Sequence, residues 1–460
     1  MQRQLPALVL AVAMTPALLL PPEAAAAAPA TPAAITSVTA RPGPGTGQVT
    51  LSWRQSGKNT TGFRLVTALN TFSRSSTARA TTGRRSRVTA LSASRRSITL
   101  SVRQVLLLGG GVASGNALFF RFYAVNARGG RTAVRAYPYL RTVLPMPAAP
   151  KAKGTKLRIA TFNVRTARAT KDKRSWNQRA GSVARQILSR RPGVVAIQEL
   201  GPGRADGRTG TTKGTPRQTS SLESALARNG GKRYQLTRTT PYVAAGQKTA
   251  TQGTRILYDT SRYSLVNRCP EKTGSRSYSS ACSFKLPIMR GDDENDRRRA
   301  ALAQFRDRRT GKRFWVVSVH LDARHSSKVA TERRYDALRR SQANAAAAGV
   351  ARYNRARLPV ILGGDLNSWQ NSRVANSAHD HLVHIGYYDA SAARTRVNFR
   401  YTTYTAFKTS VTPASHGVGV RLDQLLVKGV RGASRYENVL KARDGARPSD
   451  HNLVVSDIVL

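Results

Sequence analysis

Between Glu23 and Asp172 the chain carries not one Asp or Glu. A stretch without carboxylates can neither ligate a hard cation through acidic side chains nor supply a carboxylate base. Any such chemistry therefore lies in the C-terminal two thirds of the sequence. The scarcity of acids extends to the whole chain: 76 Lys and Arg stand against 23 Asp and Glu, a formal net charge of +53 over 460 residues. A surface this positive repels itself and attracts polyanions, so nucleic acid or anionic lipid is the expected partner. A GC-rich coding bias would put Arg in place of Lys but would not remove acids. Hydrophobic residues make up 40% of the chain, which rules out wholesale disorder and leaves room for two or three domains with sizeable cores.

Residues 1–30 open with Arg3, run apolar from Leu5 to Leu20 and turn Ala-rich through Ala24–Ala30. A basic start, a short apolar core and a small-residue exit describe a secretory signal peptide, cleaved between Ala25 and Ala30. The apolar run is shorter than the roughly 20 residues that span a bilayer, and no later segment approaches that length. The expected product is secreted and extracellular, with no stable membrane insertion. Cys269 and Cys282 suit an oxidising compartment, where one bridge across their short loop would add roughly 2–4 kcal/mol. Two free, buried thiols are the alternative, and a zinc site lacks the ligand count.

From 31 to 144 short alternating runs are broken by turn residues. Val49–Trp53, Gly62–Val66 and Ala117–Asn126, the last followed by Gly129-Gly130, have the period-two pattern of a β-sandwich. An early Trp53 on the second strand and a late aromatic-rich strand ending in Ala124-Val125-Asn126 resemble a fibronectin type III module. Leu118 stands where that family has Tyr. Such modules bind or space rather than catalyse. The runs Arg84-Arg85-x-Arg87 and Arg95-Arg96 could hold phosphates through counterion release, or could belong to a solvated spacer. Residues 145–155, rich in proline and lysine, read as a stiff linker.

From 156 to 460 the pattern changes. Leu157–Val164 alternates and closes beside Asn163; Trp176, Ala180, Val183, Ala184, Ile187 and Leu188 then recur at helical spacing before Pro192-Gly193. Val194–Ile197 is a continuous apolar strand that runs into Gln198-Glu199, and packing poorly explains a carboxylate at the end of a buried strand. Arg313–Val319 ends at His320 and precedes a helix over about 331–355, whose Ala345–Ala348 run suits close packing. Pro359–Gly364 ends at Asp365-Leu366-Asn367, with Asp365 and Asn367 expected on one strand face. Asp423 is expected inside the apolar strand Val420–Val427, and Asp450-His451 precedes a last strand, Leu453–Leu460. Singly, each has an ordinary explanation as a satisfied histidine, a turn or an ion pair.

Together these pieces resemble the endonuclease/exonuclease/phosphatase superfamily over about residues 156–460. The motifs are Thr161-Phe162-Asn163, Ile197-Gln198-Glu199, Val319-His320-Leu321, Gly364-Asp365-Leu366-Asn367-Ser368, Leu422-Asp423-Gln424 and Ser449-Asp450-His451. The resemblance implies an α+β fold, a two-sheet β-sandwich flanked by helices with its site at one rim, behind an all-β N-terminal module. It also implies divalent-metal phosphoester hydrolysis. Glu199 is the best metal ligand, with the Asn163 amide oxygen beside it and Asp450 on the same or a second ion. Mg²⁺, or Mn²⁺ or Ca²⁺, is the expected cofactor.

Asp365 would orient or deprotonate the attacking water, and Asn367 would hydrogen-bond a phosphate oxygen. His451 beside Asp423 reads as a carboxylate-oriented imidazole. His320 would lie across the scissile phosphate; the carboxylate that partners its counterpart in deoxyribonuclease-like members has no identifiable match here. Arg297–Phe305 resembles the strand that brings an Arg, Arg298 or Arg299, onto the substrate backbone. The favoured reading is a secreted, sequence-tolerant nuclease acting on DNA, with RNA as a further substrate. The alternatives are a phosphatase or sphingomyelinase-like phospholipase of the same fold, or a non-enzymatic adhesin. No protein partner is predicted, and a monomer is expected.

Overall fold

The computed structural model describes residues 27–42, 49–68, 86–100, 117–136, 140–143, 154–168, 174–201, 203–208, 213–237, 253–267, 282–294, 297–369, 376–393, 395–413, 419–440 and 447–460. The signal-peptide segment up to residue 26, most of the linker and Cys269 lie outside them. Cys282 is buried. No helix among the described residues is long and apolar enough to cross a membrane.

The N-terminal region is built only of strands among the described residues. They are β1 (Ser37–Pro42), β2 (Val49–Arg54), β3 (Gly62–Ala68), β4 (Ser86–Ser92), β5 (Ser97–Leu100), β6 (Ala117–Arg128), β7 (Arg131–Ala136) and β8 (Leu140–Val143). One sheet has the order β1-β2-β5 and the other β4-β3-β6-β7, with β8 paired to β6. Alternation places Leu51 and Trp53 of β2 inward, and Phe63, Leu65 and Phe122 of the second sheet face them, all buried. The Trp53 ring lies 5.4 Å from Phe63 and 5.0 Å from Phe122, joining the two sheets.

The C-terminal region is a sandwich of two seven-stranded sheets with helices on both outer faces. The first sheet has the order β11 (Tyr234–Leu236), β12 (Arg255–Asp259), β10 (Val194–Gln198), β9 (Lys156–Asn163), β22 (Leu453–Val459), β21 (Gly432–Val439) and β19 (Thr395–Val397). The second has β13 (Tyr263–Leu265), β15 (Arg299–Asp307), β16 (Arg313–His320), β17 (Val360–Asp365), β20 (Asp423–Lys428) and β18 (Tyr388–Asp389), with β14 (Ser283–Lys285) paired to β15. Leu157, Ile159 and Val194 of the first sheet pack between the layers against Phe314, Ile361 and Leu425 of the second.

The alternate residues face outward and bury the helices. Phe162, Val195 and Ile197 meet Val183 and Ile187 of α1 (Trp176–Leu188) and Leu222 and Leu226 of α2 (Gln218–Arg228). Val317 and Leu362 meet Ala343 and Ala346 of α3 (Val329–Tyr353) and Leu382 of α4 (Ser377–His384). Of the alanine run, Ala346 and Ala347 pack closely while Ala348 is exposed, and a side chain at Gly349 would strike the Phe284 ring.

Three expectations need correction. β17 stops at Asp365, so Asn367 is not its next inward residue; Asn367 sits in the left-handed region at φ 46°. Asp423 opens β20 rather than lying within it, because Leu422 lies in a loop tied to the Thr403 hydroxyl. Thr155, assigned to the linker, is buried, and its carbonyl accepts from Leu460 N–H. At the rim of the second sheet Gly364 has no room for a side chain, because a Cβ there would meet the Val319 backbone oxygen. Gly364→Ala should therefore cost about 2 kcal/mol. A fall in the thermal midpoint of several degrees would show it, and an unchanged midpoint would show that the strands can part.

Candidate active site

On five strands the inward-facing series runs from apolar core to a polar residue at one rim. Ile159 and Thr161 lead to Asn163, Ala196 to Gln198, Val316 and Ser318 to His320, Ile361 and Gly363 to Asp365, and Leu425 to Asp423. Register aligns them: His320 pairs with Asp365 and Asp365 with Asp423 across the second sheet, while Asn163 pairs with Gln198 in the first. Directly paired residues share a face, so three ionisable side chains stand in one row.

The row converges on Asp365 Oδ2. Asn163 Nδ2 of the facing sheet donates to it at 3.1 Å, and His320 Nε2 and His451 Nε2 each stand 3.6 Å away. Asp365 Oδ1 accepts from Asn367 N–H at 2.9 Å. Behind His451, Nδ1 lies 2.8 Å from Asp423 Oδ2. Behind His320, Nδ1 lies 3.1 Å from Arg298 Nη1. A guanidinium only donates, so this nitrogen is the acceptor and the His320 proton sits on Nε2.

Glu199, at φ 58°, is held by Asn163 Nδ2 on Oε1 at 3.0 Å and by Thr166 N–H on Oε2 at 2.9 Å. Asp450 Oδ2 stands 3.6 Å from Arg165 Nη1, and its Oδ1 accepts from Ser449. Every expected site residue is thus at this rim. Two have other duties than expected. Asn163 turns its amide nitrogen toward Glu199 and Asp365, while its oxygen accepts from Arg165 N–H. Asn367 Nδ2 is already bound to the Leu321 carbonyl at 3.0 Å.

Burial separates the two imidazoles. Burial and then Arg298 hold His320 down to about 4, so it is neutral at pH 7. Burial alone would lower His451 too, but Asp423 and Asp365 outweigh it and push it up to about 10. Burial pushes Glu199 up, yet His320, then Arg165 and the hydrogen bonds from Asn163 and Thr166, more than reverse this, to about 2. Asp450 is raised, first by burial and also by Glu199.

Several supporting residues escape sequence reasoning. Thr161 donates to Gln198, Gln198 to Ser318, and Ser318 to the Ile197 carbonyl, forming a polar strut between the sheets beneath the site. Arg179, fully buried, donates from Nη1 to both the Val164 and Pro448 carbonyls, at 2.9 Å each. Its signal was present: it is a cation on the face of α1 that also carries Trp176 and Val183. Nothing in the sequence announces Arg165, at φ 61°, beside the two carboxylates.

Two donor sets could hold a metal ion. Asp365, Asp423 and His451 bring ligand atoms within 4.8 Å of one another, and Asp423 Oδ1 is buried without a partner. His451, however, keeps its proton at neutral pH and so lacks a lone pair to give. Glu199 and Asp450 fit better: they are hard oxygen donors whose mutual repulsion a cation would relieve.

The sequence model of the Endonuclease/Exonuclease/phosphatase family matches residues 160–451. A Bacteroides thetaiotaomicron protein of that family is 19% identical, covers 67% of this chain and 98% of its own, and superposes with a TM-score of 0.48. A mannosyl-6-phosphatase from the same organism is 18% identical, covering 66% and 100%, with a TM-score of 0.48. D. rerio TDP2 complexed with a single-strand DNA product is 17% identical, covering 66% and 100%, with a TM-score of 0.43. No curated protein matches the sequence significantly.

A buried ion cluster braces the Asp423 end of the row. Arg421 pairs with Asp389 at 2.8 Å and bonds Ser391, while His379 Nε2 reaches Asp389 at 3.1 Å and its Nδ1 reaches Asp380 at 3.4 Å. Burial alone would lower His379, but the two carboxylates outweigh it and leave it above its ordinary value of 6.5. The folded state then binds that proton more tightly than the unfolded chain does. The resulting stabilisation is complete below pH 6.5 and is lost as pH rises through the raised value. The midpoint gap between wild type and His379→Gln should therefore be widest in mild acid and narrow in alkali; a gap independent of pH would contradict the charged pairing.

Proposed function

The chain belongs to the endonuclease/exonuclease/phosphatase family, whose members hydrolyse phosphoesters, and on that premise we propose a secreted, divalent-metal-dependent phosphodiesterase acting on nucleic acid. The observation that carries the phosphodiesterase reading is the convergence of Asn163, His320 and His451 on one oxygen of Asp365. A phosphoryl group placed there meets donors on two sides and a carboxylate between them. The choice of nucleic acid rests on the net charge of +53, which raises both affinity and on-rate for a polyanion.

Glu199 and Asp450 would hold Mg²⁺, Mn²⁺ or Ca²⁺, whose chemistry here is to stabilise negative charge on the phosphoryl oxygens. The other roles belong to the chain itself. Asp365 orients the attacking water and accepts its proton. His451, held protonated by Asp423, donates from Nε2 to the phosphate. His320 stays neutral, with its tautomer set by Arg298, and donates from its own Nε2. Arg298 thus acts through His320, and Asn163 acts by clamping Glu199 to Asp365.

Plasmid nicking by the mature chain, with Mg²⁺ and then with EDTA, tests this reading. Nicking should require the metal and should fall by at least about 100-fold in Glu199→Gln. Metal-dependent hydrolysis of phosphomonoesters or phospholipids without nicking would move the activity to those substrates.

The same proposal takes in the N-terminal region as a fibronectin type III-like module, supported by a three-stranded sheet packed on a five-stranded one through the Trp53 core. It also takes in export, with Cys269 and Cys282 bridged; Cys282 is buried, and no free cysteine occurs among the described residues. The unreduced, denatured chain should take up no iodoacetamide, and the reduced chain should take up two equivalents per molecule, one for each cysteine. Uptake without reduction would exclude the bridge.

A further inference from the structure

We propose that one end of the N-terminal β-structure is a second contact surface for the nucleic acid strand, separate from the catalytic rim. The choice of partner rests on the nuclease reading above; the surface itself rests on register and charge.

Residues 31–144 contain 17 Lys and Arg and no Asp or Glu. No cation in this region can find a carboxylate within it. Strand pairing then decides where the cations gather. Gly62 at the start of β3 pairs with Ser92 at the end of β4 and with Val125 near the end of β6. Ser52 near the end of β2 pairs with Ser97 at the start of β5, and Trp53 N–H donates to the Arg96 carbonyl. The β2–β3, β4–β5 and β6–β7 connections therefore lie at the same end. Arg54, Lys58, Arg64, Arg95, Arg128 and Arg131 are all exposed there.

Two of these cations face each other directly. Arg128 and Arg131 are register partners across the β6–β7 hairpin, an arrangement that repels when nothing of opposite sign intervenes. The cations ring this end of the sandwich, with Arg54 on the outer side of one sheet and Arg64 on the outer side of the other, because Trp53, Phe63 and Leu65 point between the sheets; a nucleic-acid backbone, with a charge every 3.4 Å or so per strand, can follow such an arc. The side chains rise from separate strands and loops, a layout that suits a polymer. Lipid is disfavoured because the large hydrophobic side chains exposed among the described residues, Val329 and Tyr404, both lie elsewhere, so no described side chain at this end is suited to enter a bilayer.

The test measures binding of a short labelled DNA duplex to the mature chain in EDTA, so that no cleavage is needed, between about 50 and 200 mM salt. The variant Arg54→Gln, Arg64→Gln, Arg128→Gln, Arg131→Gln should bind at least about tenfold more weakly at the upper salt. Its log–log salt slope should be shallower by about 3 to 4, at roughly 0.9 per lost phosphate contact. A control with the same change of charge, Arg309→Gln, Arg333→Gln, Arg334→Gln, Arg355→Gln, removes exposed arginines of the C-terminal sandwich and should move the slope by less than about 1. Loss of repulsion should leave the first variant's thermal midpoint at or above wild type. Should that variant misfold, Arg128→Gln, Arg131→Gln alone gives the same test at half the shift.

Equal effects from the two sets would overturn the proposal, since the charge would then act diffusely. So would unchanged DNA binding combined with lost binding to phosphatidylglycerol vesicles. A chain that fails to nick plasmid yet shows the slope change loses the nuclease reading and keeps this surface. A chain that nicks without the slope change does the reverse.

Discussion

The hydrogen bond from Asn163 to Asp365 crosses from one sheet to the other, and the rim is assembled around it. Two strands that never pair share a polar contact only because their inward faces meet at the same height. Beneath it the strut of Thr161, Gln198 and Ser318 continues the contact toward the core. Buried polar groups of this kind are costly unless satisfied, and a satisfied set fixes the relative position of the layers it joins. Apolar packing alone would tolerate a small slide between sheets; this chain of amide and hydroxyl groups does not. The distances around the carboxylate are therefore properties of the sandwich as a whole.

The same low-dielectric setting gives two identical side chains opposite protonation. His451 has a carboxylate behind it and keeps its charge, while His320 has a guanidinium behind it and loses it. Burial lowers both; Asp423 and Asp365 reverse that for His451, while Arg298 adds to it for His320. An imidazolium and a neutral imidazole can thus both present an N–H to the same anion and still respond differently to pH.

Much of this was readable before any coordinates. Strand-end polar residues announce themselves because period-two alternation breaks where a strand leaves the core, and Asn163, Glu199, His320, Asp365 and Asp450 all stand at such breaks. Orientation was not readable. Whether Asn163 presents nitrogen or oxygen depends on Arg165, whose left-handed backbone no local pattern signals. No carboxylate in the sequence marks itself as the partner of His320; that partner is Arg298, the residue just before β15, and the pairing of β15 with β16 brings it alongside. Strand β21 carries no such signal, because its alternation is weak and its burial comes from the sheet around it. In the N-terminal region the charge was plain in the sequence, but its gathering at one end follows only from which strand ends pair.

Strand β22 follows every other described strand in chain order yet lies in the middle of its sheet, between β9 and β21. Its neighbour β9 is made some three hundred residues earlier, and Arg158 waits 299 positions for its partner Asp457. Asp450 and His451 arrive in the same late segment, and the Arg179 clasp on Pro448 cannot close before it. A chain made only as far as β21 can thus hold helices, hairpins and most of its acids while the rim still lacks Asp450 and His451. Among the described strands, synthesis order delays the assembled rim until β22 has joined β9 and β21.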